Sequence, residues 1–387
     1  MRVTAKFALL VFMPVGLPLL GVSIAGYPPA RYLEFPPLTR YVKHAPFHWP
    51  SFIVGVLFVA LMLLPFLIRM AHARLPCKPD PRRPGRFPWW GWLGLTLTGL
   101  AWVLAWTRFP WFADLQPFTF SPLWIGYILV VNALAFQRTG SCLMLDRPRH
   151  FLFLFPLSAA FWWFFEYLNR FVQNWYYVGA DEFTPAEYVL HATLPFSTVL
   201  PAVLSTAEWL NSFPRLTGLL HDLWPIQFTA FKAAGWTGLL MASAGLAGIG
   251  IWPDYLFPLL WVSPLVIVVS LQTILGERTV FSNLAEGDWR PIGLPAVAGL
   301  ICGFFWEMWN VNSLAHWEYV VPYVHRFQIF EMPLLGYAGY LPFGVECKVI
   351  AELFLRRATG PERRGLAGEE CEKQGTLDSR SSHVFQG

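Results

Sequence analysis

The chain has 387 residues, of which 55% are apolar or aromatic and only 13% are Asp, Glu, Lys or Arg. A soluble domain carries about 25% charged residues, so this composition excludes an ordinary soluble protein. The aromatic content of 17% excludes extensive disorder. The chain is therefore predicted to be all-α, a polytopic bundle of membrane helices. Its net charge of +4 calls for no nucleic-acid partner.

Ten apolar runs are long enough, or nearly long enough, to cross a bilayer, which takes about 20 residues of helix. They are residues 7–26, 51–68, 89–107, 122–136, 151–171, 188–210, 235–251, 255–275, 292–311 and 333–355. The first run follows Arg2 and Lys6, which is also how a signal peptide begins, so cleavage there is the alternative interpretation.

Positive charge alternates along the connections between these runs, and Lys and Arg mark the cytoplasmic side of a membrane. The connections after the second, fourth, eighth and tenth runs are rich in Arg, whereas most alternate connections are poor in it. Both chain termini are therefore predicted to be cytoplasmic. The first outer loop does not fit this orientation, because it carries Arg31, Arg40 and Lys43.

Residues 88–212 and 232–355 contain similar motifs in the same order, at a near-constant offset of about 141 residues. The recurring pairs are Gly91-Trp92 with Gly235-Trp236, Arg138-Thr139 with Arg278-Thr279, Glu166 with Glu307, Asn169 with Asn310, Trp175 with Trp317, and Tyr177 with Tyr319. Two four-helix repeats in the same membrane orientation are predicted. Residues 1–87 would add two helices and a basic cytoplasmic loop, and residues 356–387 a disordered cytoplasmic tail.

The motif shared by the two segments places a carboxylate inside a span. Glu166 and Asn169 lie on one helix face, and so do Glu307 and Asn310. An intramembrane carboxylate is costly and indicates a functional site, where it could act as a general acid while the Asn orients it. Each span is followed by a Trp-x-Tyr motif whose rings would cover a substrate cavity; these are Trp175 with Tyr177 and Trp317 with Tyr319. Helix packing without chemistry is the alternative.

A second acidic position follows a proline in the last span. Pro342 would free backbone carbonyls and open the helix, which is tolerated where a cavity or a neighbour satisfies them. Glu346 lies one turn later on the same face and is a further candidate for proton transfer. A simple proline kink with a hydrogen-bonded Glu346 is the alternative.

Metal or cofactor chemistry is not indicated. The five cysteines are scattered and form no CxxC motif, so neither a disulfide framework nor a zinc site is indicated. No Glu-x-x-His motif of the kind used in di-metal helical bundles is present, and no phosphate-binding or nucleophile motif occurs.

The segment from Trp306 to Glu346, with Trp306-Glu307-Met308-Trp309-Asn310, Trp317-x-Tyr319 and Pro342 before Glu346, resembles a family of bacterial multipass membrane proteins of unassigned activity. It is more distantly similar to the lycopene cyclase domain of integral-membrane carotenoid enzymes, which is also built from duplicated helical repeats. That resemblance implies a bacterial inner membrane and an isoprenoid substrate. This chain departs from the family in having a single Glu, farther from the proline.

Three functions fit these residues. The preferred hypothesis is an intramembrane enzyme that acts on an apolar isoprenoid or lipid substrate, with Glu307, Glu346 and Glu166 supplying or removing protons. The second is a proton-coupled transporter or flippase, since parallel repeats with buried acids suit alternating access. The third is a structural or assembly subunit whose tryptophan-rich surface packs against partners and membrane lipid. The enzyme is preferred because the two repeats differ most in their last helix and loop.

Overall fold

The computed structural model describes residues 3–72, 85–179, 183–227 and 231–358. The chain divides after Ala351, and the architecture below is that of the described residues up to this point, together with the end of the last helix. Most of the predicted disordered tail and of the predicted basic loop after the second span, at 359–387 and 73–84, lie outside the described residues.

The described part of the chain is predominantly helical, as predicted. Its α-helices are α1 Val3–Ile24, α2 Trp49–His72, α3 Trp89–Trp106, α4 Phe120–Thr139, α5 Leu143–Asp146, α6 Pro148–Val172, α7 Pro185–Phe196, α8 Val199–Asn211, α9 Pro214–His221, α10 Phe231–Gly248, α11 Pro253–Ile274, α12 Arg290–Asn310 and α13 Tyr340–Ala358. Six helical stretches among the described residues are long and apolar enough to cross a membrane: α2, α4, α6, α7 with α8, α11 and α12. The chain is therefore a multipass helical membrane protein, and the remaining predicted spans coincide with α1, α3, α10 and α13.

Two of the predicted spans need correction. The sixth is interrupted by a turn at Ser197 and Thr198, so that it forms two helices, α7 and α8. The tenth begins at Tyr340 and not at residue 333, because the preceding residues form a short strand and a 3-10 helix, Leu334–Gly339. Pro342 therefore lies in the first turn of α13, where a missing N–H breaks no helical hydrogen bond. The prediction that Pro342 opens the helix within this span is therefore wrong.

Short strands, which the sequence analysis did not predict, connect distant parts of the chain. Strand β1, Trp175–Val178, pairs antiparallel with β2, His316–Tyr319, while β3, Gln328–Ile329, pairs with β4, Met332–Pro333. In the first pair Trp175 is opposite Tyr319 and Trp317 is opposite Tyr177. The two Trp-x-Tyr motifs are thus hydrogen-bonded to each other across the top of the bundle.

Glycines allow the closest helix contacts. A Cβ on Gly94 of α3 would lie 2.9 Å from the carbonyl oxygen of Gly126 in α4, so only glycine permits this approach. Helices α12 and α13 meet in the same way, since a Cβ on Gly299 would lie 2.8 Å from the Cα of Gly344. This contact places the start of α13 directly beside the middle of α12.

The loop between α1 and α2 is anchored at the end of the bundle that carries β1, where two of its arginines contact aromatic rings. His44 Nδ1 lies 2.6 Å from a carboxylate oxygen of Asp254, at the start of α11. The Arg31 guanidinium lies 4.4 Å from the ring centre of Tyr41, and that of Arg40 lies 3.4 Å from the ring centre of Tyr176. These cation–π contacts give the two arginines a structural role in the loop that did not fit the predicted orientation.

Candidate functional site

An apolar cavity of about 460 Å³ lies below the β1–β2 pair. Its walls come from both of the segments that share the sequence motif, and α2 supplies one side through Gly55, Phe58 and Val59. Aromatic rings dominate the rest of the lining: Trp162, Trp175, Tyr177, Tyr188, Phe196, Trp261, Trp306, Trp317, Tyr319, Tyr340 and Phe343. We call this space the main cavity. A pocket of this size and polarity is suited to a lipophilic small molecule.

Glu166 lies behind one wall of the main cavity. Its Oε1 accepts hydrogen bonds from the Tyr177 hydroxyl at 2.6 Å, from the Trp175 indole at 3.0 Å and from the Trp162 indole at 3.2 Å. All three donors line the main cavity, whereas Glu166 does not. We call these four residues the Glu166 cluster. The Glu166 carboxylate is therefore connected to the main cavity only through these three donors.

Glu307 likewise lies behind residues that line the main cavity. Its Oε1 accepts hydrogen bonds from the hydroxyls of Tyr340 at 2.5 Å and Tyr319 at 2.8 Å. The Trp317 indole donates to the Tyr319 oxygen at 2.8 Å. Glu307 has no exposed surface, and its Oε2 has no hydrogen-bond partner among the described residues. We call Glu307, Trp317, Tyr319 and Tyr340 the Glu307 cluster.

A single glycine explains why the two clusters use different donors. Gly303 precedes Glu307 by four residues, as Trp162 precedes Glu166. A Cβ at Gly303 would collide with the ring of Tyr340, so the missing side chain makes room for this tyrosine. Tyr340 then donates to Glu307 in the way that Trp162 donates to Glu166.

Asn169 and Asn310 bind backbone rather than the neighbouring carboxylates. Asn169 donates through Nδ2 to the carbonyl of Trp175 at 2.8 Å, and its Oδ1 accepts from the backbone N–H of Asn174 at 2.9 Å. Asn310 holds Trp317 through both its backbone carbonyl, at 2.7 Å, and its backbone N–H, at 2.8 Å. Both side chains therefore fix a Trp-x-Tyr strand to the end of its helix, and a role for either in binding substrate stays a prediction.

The structure separates Pro342 and Glu346. Pro342 lines the main cavity together with Phe343, but Glu346 does not line it. The Glu346 carboxyl is fully buried, and both of its oxygens are without a hydrogen-bond partner among the described residues. Its part in proton transfer stays a prediction, since the fold does not bring it to the cavity wall.

A second, smaller cavity of about 150 Å³ lies on the outer side of Glu166. Its lining includes Glu166 itself together with Arg40 and Arg170. It shares Trp175, Tyr177 and Tyr188 with the main cavity. We call it the outer cavity. Glu166 thus separates an apolar space from a polar one, whereas neither cavity is lined by Glu307.

Arg170 gives the outer cavity an ordered ion pair. Its guanidinium binds a carboxylate oxygen of Glu34 at 3.0 Å. Hydrogen bonds from Thr39 to Glu34, together with the nearby Arg170 charge, hold the pKa of the Glu34 carboxyl below its usual range. The charge of Arg170 at the outer cavity is therefore paired with a carboxylate of the protein itself.

Several of the residues that shape the site were not singled out by the sequence analysis. Tyr340, Trp162, Trp261 and Asn174 line the main cavity but come from elements that only the fold brings together. In the described part of the chain, no group of three or more His, Cys, Asp or Glu residues is arranged to hold a metal ion.

Comparison with known proteins gives no match for this chain, whether to a family model, a curated protein or a solved structure. The resemblance to the lycopene cyclase domain and the bacterial origin that it implies stay predictions.

Proposed function

We propose that the chain is an intramembrane enzyme of the bacterial inner membrane, with both termini cytoplasmic. It performs acid–base chemistry on an apolar isoprenoid or lipid substrate held in the main cavity. The observation that carries this proposal is that Glu166 and Glu307 each accept a hydrogen bond from a tyrosine hydroxyl lining that same cavity. Two acids linked to the lining of one cavity can give and take protons at two positions of one substrate.

The tyrosines are the groups that touch the substrate in this mechanism. Because the carboxyl groups lie behind them, a proton passes between Glu307 and the cavity by exchange at the hydroxyl of Tyr340 or Tyr319. Tyr177 serves Glu166 in the same way. Hydrogen bonds in a low-dielectric interior are strong and well ordered, which suits such a two-step transfer.

The cavity walls favour a substrate that develops positive charge. Tryptophan faces attract cations, and the lining includes Trp162, Trp261 and Trp306. A carbocation formed by protonating a double bond would be stabilised by these rings without direct contact with a carboxylate. A substrate could enter from the bilayer past α2, which forms one wall of the cavity. Only 6% of the most apolar stretch of this helix is buried.

We further propose that residues 88–212 and 232–355 are two repeats related by an axis along the membrane normal. The β1–β2 register supports this, because Tyr176 and Glu318 face each other at the centre while the two Trp-x-Tyr motifs lie symmetrically about them. Helices α8 and α13 also start at matching positions, Val199 and Tyr340, about 141 residues apart. A single cavity between two repeats then receives one acid from each.

The test is lipid analysis of three purified proteins: wild type, Glu307→Gln and the control Glu286→Gln, which makes the same change at an exposed position at the end of a short 3-10 helix. Molecules extracted from each protein are identified by mass spectrometry. We expect wild type and the control to retain a substrate together with a product that differs in its double bonds or rings, and Glu307→Gln to retain substrate alone. The same molecules in all three proteins would contradict acid–base catalysis by Glu307.

A proton-coupled transporter is the second candidate, and the outer cavity favours it. Glu166 lines this polar space and also contacts residues of the main cavity, and the break between α7 and α8 provides a hinge. In liposomes, a transporter predicts ligand flux that follows an imposed pH gradient and collapses when an uncoupler is added. Product formation in detergent, with no gradient present, would favour the enzyme.

A further inference from the structure

The two oxygens of the Glu166 carboxyl group lie in different surroundings. Oε1 accepts all three hydrogen bonds of the Glu166 cluster, from donors that line the main cavity. Oε2 accepts none from the described residues, and unlike the Oε2 of Glu307 it is not fully buried. Because Glu166 lines the outer cavity and not the main cavity, the accessible surface of Oε2 faces the outer cavity. One carboxyl group is therefore connected to both spaces, through a different oxygen to each.

The outer cavity gives Glu166 Oε2 a route to water. Its lining includes the exposed side chains of Arg40 and Leu38, the latter with 60% of its surface accessible, so the space reaches the protein surface. A polar space of about 150 Å³ is large enough for several water molecules. A chain of water molecules can carry a proton to a positioned side chain.

The other charged or titratable groups at this cavity do not compete with Glu166 for such a proton. Those that line it are Arg40, His44, Arg170, Tyr176, Tyr177 and Tyr188. Arg170 is paired with Glu34, and both ring nitrogens of His44 are already hydrogen-bonded, one of them to Asp254. Among the described residues that line the outer cavity, Glu166 is the one carboxyl group.

Glu307 has no comparable route to water. Its Oε2 is fully buried, and Glu307 lines neither cavity. Among the described residues, its Oε1 is linked to the main cavity by the hydroxyls of Tyr319 and Tyr340. The two acids therefore differ in where their protons come from, although their sequence motifs are similar.

We propose that the outer cavity is a proton-access site, at which Glu166 Oε2 exchanges its proton with water, whereas Glu307 exchanges protons only with the main cavity. Tyr177 gives its hydroxyl proton to the substrate and is reprotonated by Glu166, which then takes a proton from the water of the outer cavity. A half-turn of the carboxyl group brings that proton from Oε2 to the oxygen that contacts Tyr177. This inference rests on the proposed function only for the use that is made of the proton.

Methylation of wild-type protein tests the access route without any variant. The trimethyloxonium ion is a small, water-soluble cation that transfers one methyl group to a carboxylate and leaves as dimethyl ether. Purified protein in detergent is treated in mildly alkaline buffer and digested, and peptide mass spectrometry locates the methyl esters. We expect an ester at Glu166 and at the exposed control Glu286, and none at Glu307. No ester at Glu166 while Glu286 is methylated would overturn the inference, as would esters at both Glu166 and Glu307.

A cavity-filling variant locates the route. Val42 lines the outer cavity, so Val42→Trp should cause a loss of methylation at Glu166. Val54→Trp is the control, because Val54 is 66% exposed and lines neither cavity. Methylation of Glu166 at the wild-type level in folded Val42→Trp would overturn the outer cavity as the route. Since the wild-type measurement needs no variant, it decides the question even where Val42→Trp does not fold.

The access route and the proposed function fail in different ways. An unmodified Glu166 would overturn the route and leave acid–base catalysis in the main cavity standing. The same extracted molecules in wild type and Glu307→Gln would contradict acid–base catalysis by Glu307, whereas an ester at Glu166 would still establish the route.

Discussion

The Glu166 and Glu307 clusters hold similar carboxylates with different hydrogen-bond donors and in different surroundings. Each holds a carboxylate behind the wall of the same cavity, and each follows it with an Asn that fixes a Trp-x-Tyr strand. The Glu166 cluster takes two of its three donors from indoles and borders a polar cavity. The Glu307 cluster takes both of its donors from tyrosines, and its carboxylate has no exposed surface. Two similar sequence motifs therefore surround their carboxylates with different donors. The different donors arise because Gly303 leaves room for Tyr340.

The largest expected effect is that of filling the space beside Glu307. Gly303→Leu forces a side chain into the ring of Tyr340 and should destabilise the protein by about 3 kcal/mol, the upper end of the usual cost of overpacking. Thermal unfolding in detergent measures it. Gly99→Leu is the control, because a Cβ there meets nothing within 4 Å. Equal unfolding temperatures for the two variants would show that Gly303 is not needed to accommodate Tyr340.

The next effect compares the two Asn residues directly. Asn169→Leu and Asn310→Leu each remove two hydrogen bonds to backbone groups, so each should lower the free energy of unfolding by about 2 kcal/mol. Chemical denaturation monitored by tryptophan fluorescence compares them. A large loss for one variant and none for the other would contradict an equivalent role in the two clusters.

The Glu307 cluster and the Glu166 cluster should contribute independently to the free energy of unfolding. Tyr340→Phe removes a direct hydrogen bond to Glu307 and should cost about 1 kcal/mol. In double-mutant cycles it should couple to Glu307→Gln by about 1 kcal/mol and to Glu166→Gln by much less. Strong coupling to Glu166→Gln would mean that the two clusters act as one network.

The smallest effect concerns the cytoplasmic end predicted for α12. Hydrogen bonds from Arg290, with one from Asn283, lower the pKa of the Asp288 carboxyl to about 2. A carboxyl whose pKa is lowered in the folded state contributes stability that is complete above its unfolded value near 4 and is lost as pH falls through about 2. Asp288→Asn should therefore lose about 1 kcal/mol at pH 6 and much less at pH 2.

Unfolding temperatures of wild type and Asp288→Asn across that pH range provide the measurement. Glu286→Gln is the control, because it removes a carboxylate at an exposed position close to Asp288, and it should change the unfolding temperature little. A constant difference between wild type and Asp288→Asn at all pH values would contradict the ion pair as its source.

The sequence predicted the helical elements better than the details of the site. Apolar runs identify helices because each must satisfy its backbone within the membrane, and the spacing of Glu166 and Asn169 correctly places both on one face. The β1–β2 pairing was missed, since strands of four residues joined across more than 130 residues leave no local pattern. Tyr340 was missed for the same reason, because its link to Glu307 depends on how α12 and α13 pack. The prediction that Pro342 opens a helix was wrong, because a proline disrupts a helix in its interior but not in its first turn. The sequence did not show where this helix begins.

Occupancy of the main cavity is the measurement that tests the account most directly. Native mass spectrometry of the purified protein should show wild type carrying one apolar molecule. It should show the cavity-filling variant Ala192→Trp without it, since Ala192 lines the cavity. Gly99→Trp, which adds the same side chain where nothing lies within 4 Å, should retain the molecule. Equal occupancy in Ala192→Trp and wild type would contradict the main cavity as the ligand site.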